Sequence, residues 1–403
     1  MDCCRNNQKS EVCAWFIYIL CIVLLFNAFS SPWPINVGAI EVAISVILII
    51  ALWRGYFDML INPSILSAYI VFILWMTFLG VINNELSDVI RDTIPFLYIG
   101  IPLASIFYLK KSQNFNDKHI TVYLFAISIS GLILAVRSVL PFFIDSGFDL
   151  GLLKASQLAP HIDYLFLDPA IIFGSIFFLS IGLVRLNKKP INSAVLIIIS
   201  FVTLSAPFIA VIRAPVFLYL LSMSLLFMFF LRKKTIILLP VVMIFSVDIL
   251  NIINLLVDKQ ANIGSSAKLE EVFFIFNYVY TMPFHEAIFG TGAGASYYSP
   301  ILNTTIRFAH SLPMFALLKG GLILLIFSLI YILYIGVASL RYLLLTYKSR
   351  DFLGYAAILS FSVSFLVNTL LEPGFKTLSY GLLLIVFVYF VKIRGIKPRY
   401  KKI

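Results

Sequence analysis

Charge is scarce in this chain. Asp, Glu, Lys and Arg make up 12% of its 403 residues, while 61% are hydrophobic and the mean hydropathy is +1.01. Soluble domains carry ~25% charged residues, so the composition excludes an ordinary soluble protein. Cysteine and histidine are also few, at four each. The cysteines all lie at or before residue 21, and no His/Cys spacing typical of a zinc site occurs. We therefore expect neither a disulfide in an outer loop nor a metal or other cofactor.

Long apolar runs fill the sequence instead. Runs of ~17–25 residues, separated by short polar turns, predict an all-α polytopic integral membrane protein with about twelve transmembrane helices. Residues 1–403 are interpreted as a single membrane domain, in which residues 254–311 form a large periplasmic loop between spans 9 and 10. The predicted spans, in order, are Ala14–Phe29, Asn36–Trp53, Ser64–Ile82, Ile94–Leu109, Ile120–Leu140, Asp168–Val184, Ile191–Ile209, Pro215–Leu231, Ile236–Ile253, Leu312–Leu333, Phe352–Leu370 and Thr377–Val391.

The net charge of +11 would suit nucleic-acid binding, but the positions of the charges argue against such a partner. With the N-terminus inside, basic residues cluster at every second loop, as the positive-inside rule requires. Both termini are therefore predicted to be cytoplasmic. The first span could be a cleaved signal peptide, but the loop charges favour an uncleaved span. The basic residues outside the inner clusters are Arg91, Arg137, Lys154, Arg213, Lys259, Lys268, Arg307, Lys319 and Lys376.

The large loop contains a pattern typical of a short helix. Ser265 or Ser266 is a suitable N-cap, and Glu270 and Glu271 follow in the first turn. Apolar side chains then recur at helical spacing, which predicts an amphipathic helix on the membrane surface that ends at Pro283. After it, the glycines at positions 290, 292 and 294 suggest a mobile turn. The two glutamates are expected to be solvated.

Arginines and one histidine at the outer surface are the candidate functional residues. Arg307 and His310 are three residues apart at the start of span 10, where a helix would put them on one face. Guanidinium groups bind phosphate oxygens, so Arg307 and Arg213 are candidate diphosphate ligands. Arg213 could equally be a residue that snorkels to the membrane edge. His310 could accept a proton from a sugar hydroxyl, or be a structural histidine at a helix start. Lys319, inside the span, should reach the site or pair with an acid.

Three short motifs resemble the bacterial O-antigen polymerase and O-antigen ligase superfamily of membrane glycosyltransferases. Val211-Ile212-Arg213-Ala214 resembles a Ser-Arg-Gly-like signature at an outer hairpin tip, and Phe289-Gly290-Thr291-Gly292 resembles a Phe-Gly-x-Gly element. His310-Ser311, followed by Gly321-Leu322-Ile323, resembles a histidine motif in which Asn usually takes the place of Ser311. The family often has an arginine where this chain has Lys268. The similarity covers roughly residues 191 to 325.

The resemblance implies a metal-independent glycosyltransferase of the bacterial inner membrane that polymerises undecaprenyl-diphosphate-linked repeat units. In this reading Arg213, Arg307 and Lys268 bind the lipid diphosphate, and His310 orients or deprotonates the acceptor hydroxyl. The implied partners are the lipid-linked oligosaccharide, membrane lipids and a chain-length regulator protein. The alternatives are an O-antigen ligase, whose histidine-rich entry to span 10 is absent here, and a polysaccharide flippase, whose two similar halves are not found.

Overall fold

The computed structural model describes residues 17–29, 46, 65–111, 117–146, 168–186, 188–209, 222, 266–299, 304–307, 309–349 and 351–395. Arg213 and nearly all of predicted spans 2, 8 and 9 lie outside these residues. The described helices are α1 (Ile17–Phe29), α2 (Ile65–Asn83), α3 (Leu86–Lys111), α4 (Asp117–Ser146), α5 (Pro169–Arg185), α6 (Pro190–Ile209), α7 (Ser266–Thr281), α8 (Phe284–Phe289), α9 (Leu312–Ser349), α10 (Phe352–Leu366) and α11 (Leu378–Phe387).

Within the described ranges, four helical stretches are long and apolar enough to cross a membrane. They are Asp117–Leu140, Pro190–Pro207, Leu312–Tyr347 and Phe352–Leu371. The chain is thus a mostly helical protein with apolar helices suited to a bilayer, and the larger number of twelve spans stays a prediction. Where the first turn of a helix is capped, the capping side chain is of a type that favours this position. The Asp168 carboxylate, for example, accepts a hydrogen bond from Ala170 N (2.8 Å) in front of Pro169, which has no N–H to leave unpaired.

The helices approach one another closely at small residues. A Cβ on Gly131 of α4 would lie 2.1 Å from the Ala170 carbonyl oxygen of α5, and one on Gly381 of α11 would lie 2.4 Å from Tyr98 O of α3. Small residues allow such contacts in membranes, where burial of apolar surface does not by itself drive helices together. Hydrogen bonds from side chains to carbonyl groups add to the packing, as from Tyr123 to Leu382 O at 2.7 Å.

One end of the helix bundle is held by Arg394, which ends the π-helical turn Val388–Arg394 after α11. Its guanidinium is bonded to Asp117 at the start of α4 (Nε to Oδ1, 2.9 Å) and to Asp351, the N-cap of α10. All three residues belong to loops that the charge pattern assigns to the inner side. Lys376, which ends the 3₁₀ turn Pro373–Lys376 before α11, lies at the opposite end of the same helix. Arg394 and Lys376 thus lie at opposite ends of α11, and the side of the membrane that each end faces stays a prediction.

The large loop contains α7, α8 and a small antiparallel hairpin, β1 (Tyr297–Ser299) and β2 (Thr304–Ile306), with Tyr297 paired to Ile306. The hairpin is a departure from the all-α prediction. Helix α7 ends at Thr281, just before Pro283, as expected. Its Ile275 and Val279 are buried against the bundle, whereas Phe273, Phe276 and Tyr280 are exposed on the other side. An apolar surface of that kind fits the predicted contact with lipid.

Helix α9 is broken near its N-terminal end. Gly321 has φ 64° and ψ −161°, far from helical values, so the nine residues before the break and the long segment after it are separate helical pieces. Next to this break the Lys319 carbonyl oxygen accepts a hydrogen bond from Gly292 N at 3.0 Å. The loop is thereby tied to α9 at the break.

Candidate functional site

The glycine segment 290–294 is a packed structure rather than the mobile turn expected from its sequence. Gly290, Gly292 and Gly294 all have positive φ, between 78° and 93°. A Cβ at Gly292 would lie 2.2 Å from Gly80 N of α2. Ala293 N donates to Met76 O at 3.0 Å and completes the contact with α2. The Phe-Gly-Thr-Gly motif therefore fixes the loop between α2 and the broken part of α9.

Two carboxylates on the first turns of α3 meet two cations. Asp88 and Asp92 are four residues apart, so they share one face of the helix, and both are buried. Arg307 Nη1 is bonded to Asp88 Oδ1, and Lys319 Nζ is bonded to Asp92 Oδ2. Asp92 Oδ2 also accepts from Gly294 N at 2.8 Å. The prediction that Lys319 pairs with an acid is confirmed.

Lys319 is fully buried, and it joins three parts of the site. Besides the ion pair with Asp92, its Nζ donates to the Ala295 carbonyl oxygen, and its own carbonyl accepts from Gly292 N. A buried charge needs both a counter-charge and hydrogen bonds, and the loop and α3 provide them. Lys319 is therefore a structural link between α9, α3 and the glycine segment.

His310 is held by Glu271 of α7. Glu271 Oε1 accepts from His310 N at 2.9 Å, and Oε2 is bonded to the ring Nδ1. An ionised carboxylate can only accept, so its bond to Nδ1 requires a proton there, and the neutral form of the ring then has its lone pair on Nε2. The Glu271 side chain is 12% exposed and the His310 side chain 39%. This arrangement resembles the histidine and carboxylate pairs that act as general bases. The expectation that Glu271 is solvated is wrong.

Arg307 and His310 do not share a helix face, so that prediction is also wrong. Helix α9 begins at Leu312, and Arg307 follows β2 directly, so Arg307 precedes the helix. The two residues are nevertheless positioned by neighbouring elements, since Arg307 is bonded to α3 and His310 to α7. The Arg307 side chain is 50% exposed beside its buried partner Asp88. A guanidinium has five N–H donors, so an Arg paired with one carboxylate oxygen still has donors to offer a ligand.

Two further polar residues lie close to the pair. Tyr297 of β1 is buried, and burial together with the negative charge of Glu271 raises the pKa of its hydroxyl, which stays protonated. Lys376 enters from the turn between α10 and α11, with its Nζ 4.5 Å from the centroid of the Phe315 ring of α9. The pKa of Lys376 is lowered to about 7, chiefly by burial; Asp92 and Glu271 oppose this shift, and Lys319 and Arg91 contribute to it. Neither residue was singled out as functional by the sequence.

The roles of the other two predicted site residues, Lys268 and Arg213, stay predictions. Lys268 belongs to the first turn of α7, and its contact with a diphosphate stays a prediction. Arg213 lies outside the described residues, so its convergence with Arg307 also stays a prediction. Within the part of the chain that the structure describes, no three His, Cys, Asp or Glu side chains are grouped as a metal site requires.

The site is a cluster of paired charges in which two side chains, those of Arg307 and His310, are substantially exposed. A scan against protein-family models gives no match for this sequence, and a search of curated proteins gives no significant match either. The geometry and the sequence pattern are therefore the basis for assigning a function.

Proposed function

We propose that the protein is a glycosyltransferase that polymerises undecaprenyl-diphosphate-linked repeat units of O-antigen, or of a related surface polysaccharide, at the periplasmic face of the inner membrane. The observation that supports this most strongly is the Glu271–His310 pair, which lies three residues from the half-exposed Arg307. A base and an anion-binding group are then adjacent at one end of a bundle of apolar helices. Glycosyl transfer from a lipid diphosphate needs both groups.

Sidedness also supports the proposal. The acids of α3, the large loop, the start of α9 and the turn before α11 all belong to segments that the charge pattern assigns to the outer side. The structure brings Asp88, Arg307, His310 and Lys376 from these segments to the same end of the bundle. Arg394, an inner residue by the same pattern, lies at the other end of α11. A substrate displayed on the outer leaflet would meet the charged cluster at that surface.

In the proposed reaction, a hydroxyl of one lipid-linked glycan attacks the anomeric carbon of another. His310 Nε2 accepts the hydroxyl proton, while Glu271 stabilises the resulting imidazolium. The bond between the anomeric carbon and the phosphate oxygen breaks, and undecaprenyl diphosphate leaves. Arg307, with Arg213 and Lys268 as further ligands, stabilises the negative charge on that leaving group. No step requires a metal, because side-chain cations take its place.

The test is the glycan ladder of a null strain complemented with variants. We expect the null strain to carry a single repeat unit on its lipid core, and His310→Ala, Arg307→Ala and Arg213→Ala to fail to restore long chains. His285→Ala and Arg341→Ala are matched controls, because both side chains are exposed and neither belongs to the cluster; both should restore the ladder. A null strain with no repeat unit on the core would indicate a ligase instead. Full ladders from all three site variants would overturn the proposal.

A further inference from the structure

The two ion pairs on α3 differ in how far their cations are buried. Asp92 is bonded to Lys319, whose side chain is fully buried. Asp88 is bonded to Arg307, whose side chain is 50% exposed. A fully buried ammonium group needs a carboxylate beside it, whereas water can solvate a half-exposed guanidinium. Arg307 therefore does not depend on Asp88 for compensation of its charge.

Asp88 itself is held firmly. It lies in the first turn of α3, is 8% exposed, and its backbone N–H donates to Glu85 O at 3.0 Å. The glycine segment packs directly on it, since a Cβ on Gly294 would lie 3.4 Å from Asp88 Cβ. Asn84, four residues earlier, donates from Nδ2 to Ala293 O at 2.9 Å and fixes the same contact. The carboxylate is thus a rigid acceptor at the edge of the site.

Arg307, in contrast, has a long side chain on a segment between β2 and α9. Among the residues that the structure describes, Asp88 is the one whose side chain is bonded to the guanidinium, through Nη1. Because the guanidinium is planar and rigid, a bond at one nitrogen restricts the directions of its other N–H donors. Burying a carboxylate is costly, and here the cost is associated with orienting an exposed cation.

We propose that Asp88 is a positioning residue of the site, which holds Arg307 in the orientation that stabilises the leaving diphosphate. The inference rests on the proposed function, because that function makes the diphosphate the ligand of Arg307. Asp88 acts through Arg307 and does not touch the substrate. Its own negative charge does not favour binding of an anion, so its contribution is to the rate of transfer and not to the affinity for the lipid-linked donor.

The experiment is elongation by the purified full-length protein, supplied with undecaprenyl-diphosphate-linked repeat units extracted from the null strain. We expect Asp88→Ala to lower kcat by about ten- to a hundredfold and to leave KM unchanged or lower. Asp88→Asn keeps an acceptor oxygen for Nη1, so it should recover part of the lost rate. Both variants should melt near the wild-type temperature, because the arginine that they leave unpaired is half-exposed to water.

Glu85→Gln is the matched control, because Glu85 lies three residues before Asp88 and is exposed; it should elongate chains as the wild type does. If Arg307→Ala loses elongation while Asp88→Ala keeps the wild-type kcat, the role of Asp88 is refuted and the proposed function stands. An Asp88→Ala protein that fails to fold, or that is slow only through a raised KM, also refutes it, since Asp88 would then serve the fold or the binding of substrate. If the wild type makes no chains, the proposed function and this inference are both refuted.

Discussion

Glu271→Gln is the substitution that tests the site most sharply. The glutamine keeps the size of the side chain, and its carbonyl oxygen can still accept the bond from His310 N, which is 2.9 Å long in the structure. Its amide group then faces Nδ1 as a donor. Because a donor requires a lone pair at Nδ1, the ring would be driven to the tautomer with its proton on Nε2. That nitrogen could no longer accept the proton of an acceptor hydroxyl.

The size of the effect can be worked out from the bond that is lost. Hydrogen bonds to charged groups contribute ~1.5–3 kcal/mol. At ~1.36 kcal/mol for each factor of ten in rate, the variant should be slower by roughly 10- to 150-fold. The loss should fall on kcat rather than KM, because the imidazolium that Glu271 stabilises forms only as the reaction proceeds.

The assay is the rate of glycan elongation by purified protein supplied with lipid-linked repeat units. Glu270→Gln is the matched control, since Glu270 is the neighbouring residue on α7 and is exposed; it should retain the wild-type rate. If Glu271→Gln elongates chains as fast as Glu270→Gln does, His310 is not a base oriented by Glu271. A double variant with His310→Ala should lose no more activity than His310→Ala alone, because the two residues act as a unit.

Three further predictions follow from the packing and the charges. Gly292→Ala should abolish activity and lower the melting temperature, because the new Cβ would clash with the backbone of α2 and the residue has a positive φ that alanine disfavours. Gly336→Ala is the control, since a Cβ there would have no atom within 4 Å; it should be neutral or slightly stabilising in the same melting scan. Lys319→Met should lower the free energy of unfolding by ~3–5 kcal/mol, because it leaves the buried Asp92 carboxylate without its ion-pair partner. Denaturant unfolding of the double variant with Asp92→Asn should show that part of this loss is recovered. Burial lowers the pKa of Lys376 from 10.5 to about 7, so between these pH values the unfolded chain binds more protons than the folded protein, and the stability of the fold rises with pH. Lys376→Met should therefore raise the melting temperature more at pH 6.5 than at pH 9.5. An equal gain at both pH values would contradict the shift.

Several helix boundaries could be predicted from the sequence, because hydropathy and charge depend on the residues of the segment itself and not on its partners in the fold. The predicted start of span 10 at Leu312 and the predicted end of the loop helix before Pro283 both agree with the structure. Lys319 was expected to find an acid because an unpaired charge in an apolar helix is costly. Such an argument needs no knowledge of the fold.

The partners of the site residues could not be read in the same way. Glu270 and Glu271 are adjacent and chemically identical, and the rotation of α7 alone decides that Glu271 meets His310. Asp88 lies more than two hundred residues from Arg307 in sequence. No local pattern encodes such a contact.

The errors near His310 have a common physical origin. Strands β1 and β2 have three residues each, too few for an alternating pattern, so the sequence did not predict them. The break at Gly321 was hidden because Gly320 and Gly321 are tolerated within an apolar run. The glycines at 290–294 were read as mobile because glycine permits both loose turns and close packing.

The central claim is that this charged cluster transfers a glycan from one lipid diphosphate to another. Its most direct test is the purified protein reconstituted in vesicles with undecaprenyl-diphosphate-linked repeat units, with chain length and released undecaprenyl diphosphate measured together. The account predicts long chains and one undecaprenyl diphosphate released per new linkage from the wild type, and neither from His310→Ala. Long chains made by His310→Ala at the wild-type rate would contradict it.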